Sequence, residues 1–153
     1  MTRTHTYETV VAWEGSTGEG YEFYSRAHDA SCAPAESSLM LSGDPAFRGD
    51  PRRLNPEQLL LSAAASCQLL SFLAVAARAR VDVVSYRDSA SAVMPEDDKP
   101  VRITAITLRP RIVVRGEASD ARILHLVEVA HRECYIANSL SSAITIEPEI
   151  ERV

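Results

Sequence analysis

Aromatic residues make up only 6% of the 153 residues, and there are three cysteines. So few cysteines exclude a disulfide-stapled miniature, and 46% hydrophobic with 24% charged residues excludes a disordered chain. Positive charge is not in excess: the formal net charge is −5, which argues against nucleic acid or an anionic membrane surface as the main partner. There is no glycine-rich phosphate loop and no GxSxG elbow. The opening stretch MTRTHTYETV lacks the apolar core of a signal peptide, so a cytoplasmic location is expected. In that reducing compartment a lasting disulfide is disfavoured, and a catalytic or transient one is the alternative for Cys32, Cys67 and Cys134. With no internal repeat or linker, residues 1–153 read as one domain large enough to bury a core.

What is present in abundance is one apolar run, Asn55 to Arg80. Asn55 suits a helix cap, Pro56 the first helical position, and Glu57 the positive end of the dipole. No charge occurs from Leu59 to Ala77, and Cys67 stands in the middle. A helix apolar on nearly every face belongs inside something. Its length would just cross a bilayer, but its Ala and Ser content, Gln68 and the surrounding strand patterns favour a core helix. Covering all of its faces requires more than one sheet and one other helix, which points to a homodimer.

The remaining pattern is α+β. Thr6 to Trp13 and Tyr21 to Ala27 read as the arms of an N-terminal hairpin around EGSTGEG. Ser31 to Arg53 reads as a long loop with one short strand near Ser37 to Leu41, and it delivers Arg48, Arg52 and Arg53 to the helix start. Val83 to Met94 and Val101 to Arg115 read as a second hairpin turning at residues 95–100. A shift in alternation predicts a bulge, or two strands meeting near Pro110. Ser119 caps an amphipathic helix that places Ile123, Leu126, Val127, Ala130 and Cys134 on one face. Ile144, Ile146, Pro148 and Ile150 alternate with polar residues in a terminal strand.

Cys67 and Cys134 each fall on the buried face of a predicted helix, so the two sulfurs could meet as a redox pair. A packing role as small hydrophobes is the plainer alternative. His131 and Cys134, at i and i+3, could instead share a metal with Cys67, although no further ligand supports it. His28, His125 and Cys32 carry no pattern of their own. Glu57 needs no function in a first helical turn, and ten residues of rise set it about 15 Å from Cys67 along a straight helix.

NPEQLLLSAAASC, with its Glu ten residues before the Cys, resembles the signature of the OsmC/Ohr family of organic hydroperoxide reductases. Cys134 near the end of a second helix is similar to the family's second cysteine, although CYIANSL replaces the usual Pro-Val-Ser continuation. The resemblance implies an OsmC-like fold and an intertwined homodimer with its sites at the subunit interface. It also implies thiol-dependent reduction of organic hydroperoxides in oxidative or osmotic stress defence. Cys67 would be the peroxidatic cysteine, Cys134 the resolving one, and Glu57 the carboxylate that orients an arginine. That arginine would be Arg48, with Arg26 as the alternative. The resemblance implies no bound cofactor, only an external dithiol or lipoyl-type reductant. Leu70, Phe72 and Tyr135 would suit a fatty or aromatic peroxide. A non-catalytic dimeric binding module on the same fold is the competing reading.

Overall fold

The computed structural model describes residues 2–153, in two compact units: Met1–Leu59 and Leu60–Val153.

In the first unit, β1 (Val10–Ala12), β2 (His28–Ser31) and β3 (Ser38–Leu41) form an antiparallel sheet in that order. The short strand expected near Ser37 to Leu41 is present. The expected second hairpin arm is not: β2 begins at His28, and Tyr21 to Ala27 is not a strand. Its backbone groups are satisfied locally. Phe23 and Tyr24 N–H donate to Gly20 O, and the Arg26 guanidinium donates to the carbonyls of Tyr21 and Tyr24. A ladder needs those groups free. After β3 the chain makes a single 3₁₀ turn, Pro45–Phe47, capped by the Asp44 carboxylate, which accepts from Ala46 N–H at 2.7 Å. Arg48 closes that turn in the left-handed region, with φ 66°. Gly49 then runs against the Gly43 backbone, where a Cβ would lie 1.6 Å from the Gly43 oxygen. Only glycine allows that approach.

Helix α1 (Pro56–Arg78) starts as its residues dictate. The buried Asn55 side chain accepts from Gln58 N–H at 2.8 Å, and Gln58 Oε1 accepts from Asn55 N–H at 3.0 Å. This is a reciprocal capping box. By length and composition α1 could cross a membrane, yet in the second unit Ala64, Gln68, Phe72, Val75 and Ala76 face the core. The buried Gln68 amide donates to Val127 O at 3.2 Å.

In the second unit both expected hairpin arms break in two. β4 (Asp82–Asp88) and β5 (Ser91–Val93) replace the first arm; β6 (Ala105–Leu108) and β7 (Pro110–Arg115) replace the second. The terminal strand also divides, into β8 (Ala143–Ile146) and β9 (Glu149–Arg152). The pieces form two sheets, β4-β7-β9 and β5-β6-β8, with β8 and β9 parallel to their neighbours. All three breaks meet at Arg109. Its N–H donates to Asp88 Oδ1, and its guanidinium donates to Glu147 and Ser91. Inward alternation survives the break: Ile106, Leu108, Pro110, Ile112 and Val114 are all buried.

Helix α2 (Asp120–Glu133) is capped by Ser119, whose Oγ accepts from Arg122 N–H. It buries the expected face, Ile123, Leu126, Val127 and Ala130, with Cys134 at its end. These residues close one cluster with Phe72, Val75, Ile112 and Val114; Ala64, Ile106 and Leu108 form a second.

Candidate active site

The second unit brings Cys67 and Cys134 together. Cys67 lies mid-way along α1, part-buried; Cys134 is 1% exposed at the C-cap of α2. The helices are locked side by side by the Gln68 to Val127 hydrogen bond and an Arg78–Glu133 ion pair at 3.0 Å. In this arrangement the two sulfurs are close enough for each to shift the other's acidity. Both thiols are free.

The electrostatics separate the two sulfurs. Burial alone would raise the Cys67 pKa, but four donors outweigh it: the Cys134 thiol, the N–H groups of Ile136 and Tyr135, and the Ser71 hydroxyl. Cys67 is therefore held below the ordinary thiol range. Cys134 is pushed up to about 11, first by burial and then by its neighbour Cys67, with only a partial offset from Ala137 and Ile136 N–H. Ala137 N–H reaches the Cys134 sulfur at 3.4 Å. One sulfur is prepared as thiolate, the other kept as thiol.

The donors come from the segment after α2. Cys134 N–H bonds to His131 O, Asn138 N–H to Cys134 O, and the 3₁₀ turn Ala137–Ser139 follows. The chain thus curls around the sulfur pair with successive N–H groups turned inward, an anion-favouring nest of the kind backbone turns make. Sequence reasoning missed the N–H groups of Tyr135 and Ile136, because backbone atoms carry no residue signature. Ser71 was findable: it stands at i+4 from Cys67 on the same helix.

Phe72 does not serve as a substrate wall. It is 0% exposed, part of the core, with its ring 5.9 Å from that of Tyr86. The i+5 step that separates it from Cys67 turns it to the opposite, packed side of α1. Leu70 and Tyr135 are exposed, at 63% and 81%.

The other candidate residues lie in the first unit. Arg48 forms an ion pair with Glu22, and both side chains are about half exposed. Its carboxylate partner there is Glu22, not Glu57, because the left-handed turn at Arg48 leads its side chain back to the Glu22 segment. Glu57 opens α1 with Oε2 buried and without a hydrogen-bond partner among the described residues. Arg26 is held by the Tyr21 and Tyr24 carbonyls and lies over the Tyr24 ring at 3.7 Å. Two of its five donors and its guanidinium face thus have a structural role. Arg26, Arg48 and Arg53 border a polar cavity of about 340 Å³. Cys32 is exposed beside Thr9, with its Sγ 3.4 Å from Thr9 Oγ1. Among the described residues, no three His, Cys, Asp or Glu side chains are grouped to hold a metal ion, so His131 does not join the two cysteines in such a set.

The fold has counterparts among known proteins. An OsmC-like protein of unknown function from Vibrio cholerae O1 biovar eltor str. N16961 superposes with a TM-score of 0.86 at 27% identity, covering 95% of this chain and 99% of that one. An organic hydroperoxide resistance protein from Elizabethkingia anophelis shares the fold, with a TM-score of 0.73 at 14% identity over 100% of both chains. So does the organic hydroperoxide resistance protein OhrB of Bacillus subtilis, with a TM-score of 0.62 at 17% identity over 96% and 98%. No curated protein matches the sequence. The family model for OsmC-like proteins matches residues 49–149, from the loop ahead of α1 into β9. On that match the chain belongs to the OsmC-like protein family.

Proposed function

We propose that this chain is a cysteine-based organic hydroperoxide reductase of the cytoplasm that works as a homodimer. The observation that carries the reading is the asymmetric pair: a part-buried Cys67 sulfur biased to thiolate beside a buried Cys134 thiol biased to stay protonated.

The Cys67 thiolate attacks the distal oxygen of an organic hydroperoxide. The O–O bond breaks, the leaving alkoxide takes a proton and departs as the alcohol, and Cys67 becomes a sulfenic acid. The Cys134 sulfur then attacks that of Cys67, expelling hydroxide, which leaves as water with the Cys134 proton. A Cys67–Cys134 disulfide remains. An external dithiol or lipoyl-type reductant restores the two thiols by exchange, itself becoming a disulfide. No resident cofactor is needed.

Glu57 and Arg48 complete the proposal. A guanidinium near the thiolate favours its charged form and donates to the peroxide oxygens, and a carboxylate holds it through two points. The unpartnered, buried Glu57 oxygen supports that role: a buried carboxylate oxygen calls for a donor. Arg26 is the weaker choice, since its donors are engaged by carbonyls.

A dimer suits the surfaces left bare. On α1, Leu70 and Leu73 are 63% and 38% exposed, and the first unit's small sheet leaves Val10, Val11 and Met40 uncovered. Apolar surface of this kind is normally buried against a partner.

The deciding experiment treats wild type and Cys134→Ser with one equivalent of an organic hydroperoxide, then counts thiols and weighs the intact protein. Loss of two thiols and two hydrogens in the wild type, with a trapped sulfenic acid in the variant, is expected. Native thiols that survive an oxidant to which the unfolded chain reacts would defeat the proposal and leave a binding module with packing cysteines.

A further inference from the structure

On the second unit, toward the C-terminal end of α2, a cavity of about 460 Å³ lies between α2 and the β8–β9 segment. That volume is in the range of small-ligand sites. Its floor is apolar, built from Leu124 and Val127 of α2 and from Ile144 and Ile146 of β8. Its polar groups are all on α2: Glu128, His131 and Arg132.

Each of these three polar groups is without a partner. Glu128 and Arg132 stand at i and i+4, the spacing at which opposite charges on a helix usually pair. Yet neither forms an ion pair with the other or with any described residue. Other arginines of this unit, Arg78, Arg109, Arg111, Arg115 and Arg152, do pair with carboxylates. His131 lines the same wall, with its Nδ1 closed off from solvent and without a hydrogen-bond partner among the described residues.

A ligand that satisfies the whole set carries a cation and an anion a few ångströms apart and an apolar body. The i, i+4 spacing sets Cβ atoms roughly 6 Å apart, so both side chains can reach the two ends of one small zwitterion. We infer that this cavity binds a free apolar amino acid. Arg132 takes the carboxylate, Glu128 takes the ammonium group, and the side chain lies on Ile144, Ile146 and Leu124. A plain fatty acid leaves Glu128 facing its carboxylate, and a plain amine leaves Arg132 without a counter-charge. The inference uses none of the residues assigned to thiol chemistry and stands or falls separately from it.

The test is amide-resolved NMR titration of the full chain with three probes of one shape: L-leucine, 4-methylpentanoate and isopentylamine. Leucine is expected to shift amides of α2 and β8 saturably and to bind at least tenfold more tightly than either analogue. Glu128→Gln should erase the preference over 4-methylpentanoate, and Arg132→Gln the preference over isopentylamine. Both residues are exposed, so both variants should fold. Leu124→Trp, at a 40% exposed site, should block all three probes. Equal binding of the three, discrimination that survives both charge variants, or a groove silent to leucine because a second copy fills it would each overturn the inference.

Discussion

Cys67, midway along α1, and Cys134, at the C-cap of α2, are neighbours that shift each other's acidity in opposite directions. Cys134 favours the thiolate at Cys67, and Cys67 favours the thiol at Cys134.

Cys67 should alkylate with a pH midpoint below that of an ordinary free thiol, and Cys134 only at much higher pH. Ser71→Ala removes one donor to the Cys67 thiolate. Its midpoint should rise, and the rate at neutral pH should fall severalfold. Mass-resolved iodoacetamide kinetics across pH 5 to 10 measure both; a midpoint unmoved by the Ser71 change would remove the hydroxyl from the argument.

The reduced protein should lose stability in alkali. Cys134 titrates at about 11 when folded against an ordinary thiol value of 9.0, so between these the unfolded chain gives up a proton that the folded one keeps. Stability is fully present below about 9.0 and falls as pH rises through about 11. Thermal melts of wild type and Cys134→Ala over that interval check this, and the variant should show the shallower decline.

Phe72→Ala should cost about 3–5 kcal/mol, since a fully buried ring leaves a cavity among Val75, Ile112 and Ile123. Leu70→Ala, at 63% exposure, should cost far less in the monomer. Denaturant midpoints separate the two.

Leu70→Glu together with Leu73→Glu tests the dimer. Light scattering should show a dimer for wild type and a shift toward monomer for the double variant, because a charge on each of these α1 positions cannot be buried against a second copy without a partner. An unchanged mass would place the interface elsewhere.

Gly49→Ala should disturb the turn that carries Arg48, because the added methyl would meet the Gly43 carbonyl at 1.6 Å. A loss of about 1–3 kcal/mol is expected, and urea melts are sufficient to see it.

Much of this molecule follows from local rules acting on neighbouring residues. Asn55, Pro56 and Gln58 start α1, Ser119 starts α2, and steps of three and four put Ile123, Leu126, Val127, Ala130 and Cys134 on one buried face. The signature NPEQLLLSAAASC pointed to the family that the match over residues 49–149 establishes. Caps and periodicities are short-range, so they survive in a string of letters.

Tertiary structure decided the rest. The hairpin arms broke into β4/β5 and β6/β7 because Arg109, Asp88, Ser91 and Glu147 meet only after folding, and no alternation pattern records that meeting. Tyr21 to Ala27 has strand-forming residues, but Arg26 and Gly20 took their backbone partners first. Phe72 looked like a wall of the site and proved to be core, since which side of an all-apolar helix is buried depends on what packs there. The acidity of Cys67 rests on Tyr135 and Ile136 N–H groups, and every residue but proline has one. The side chains named the chemistry; the position of anonymous backbone donors, which only the folded chain sets, made one sulfur differ from the other.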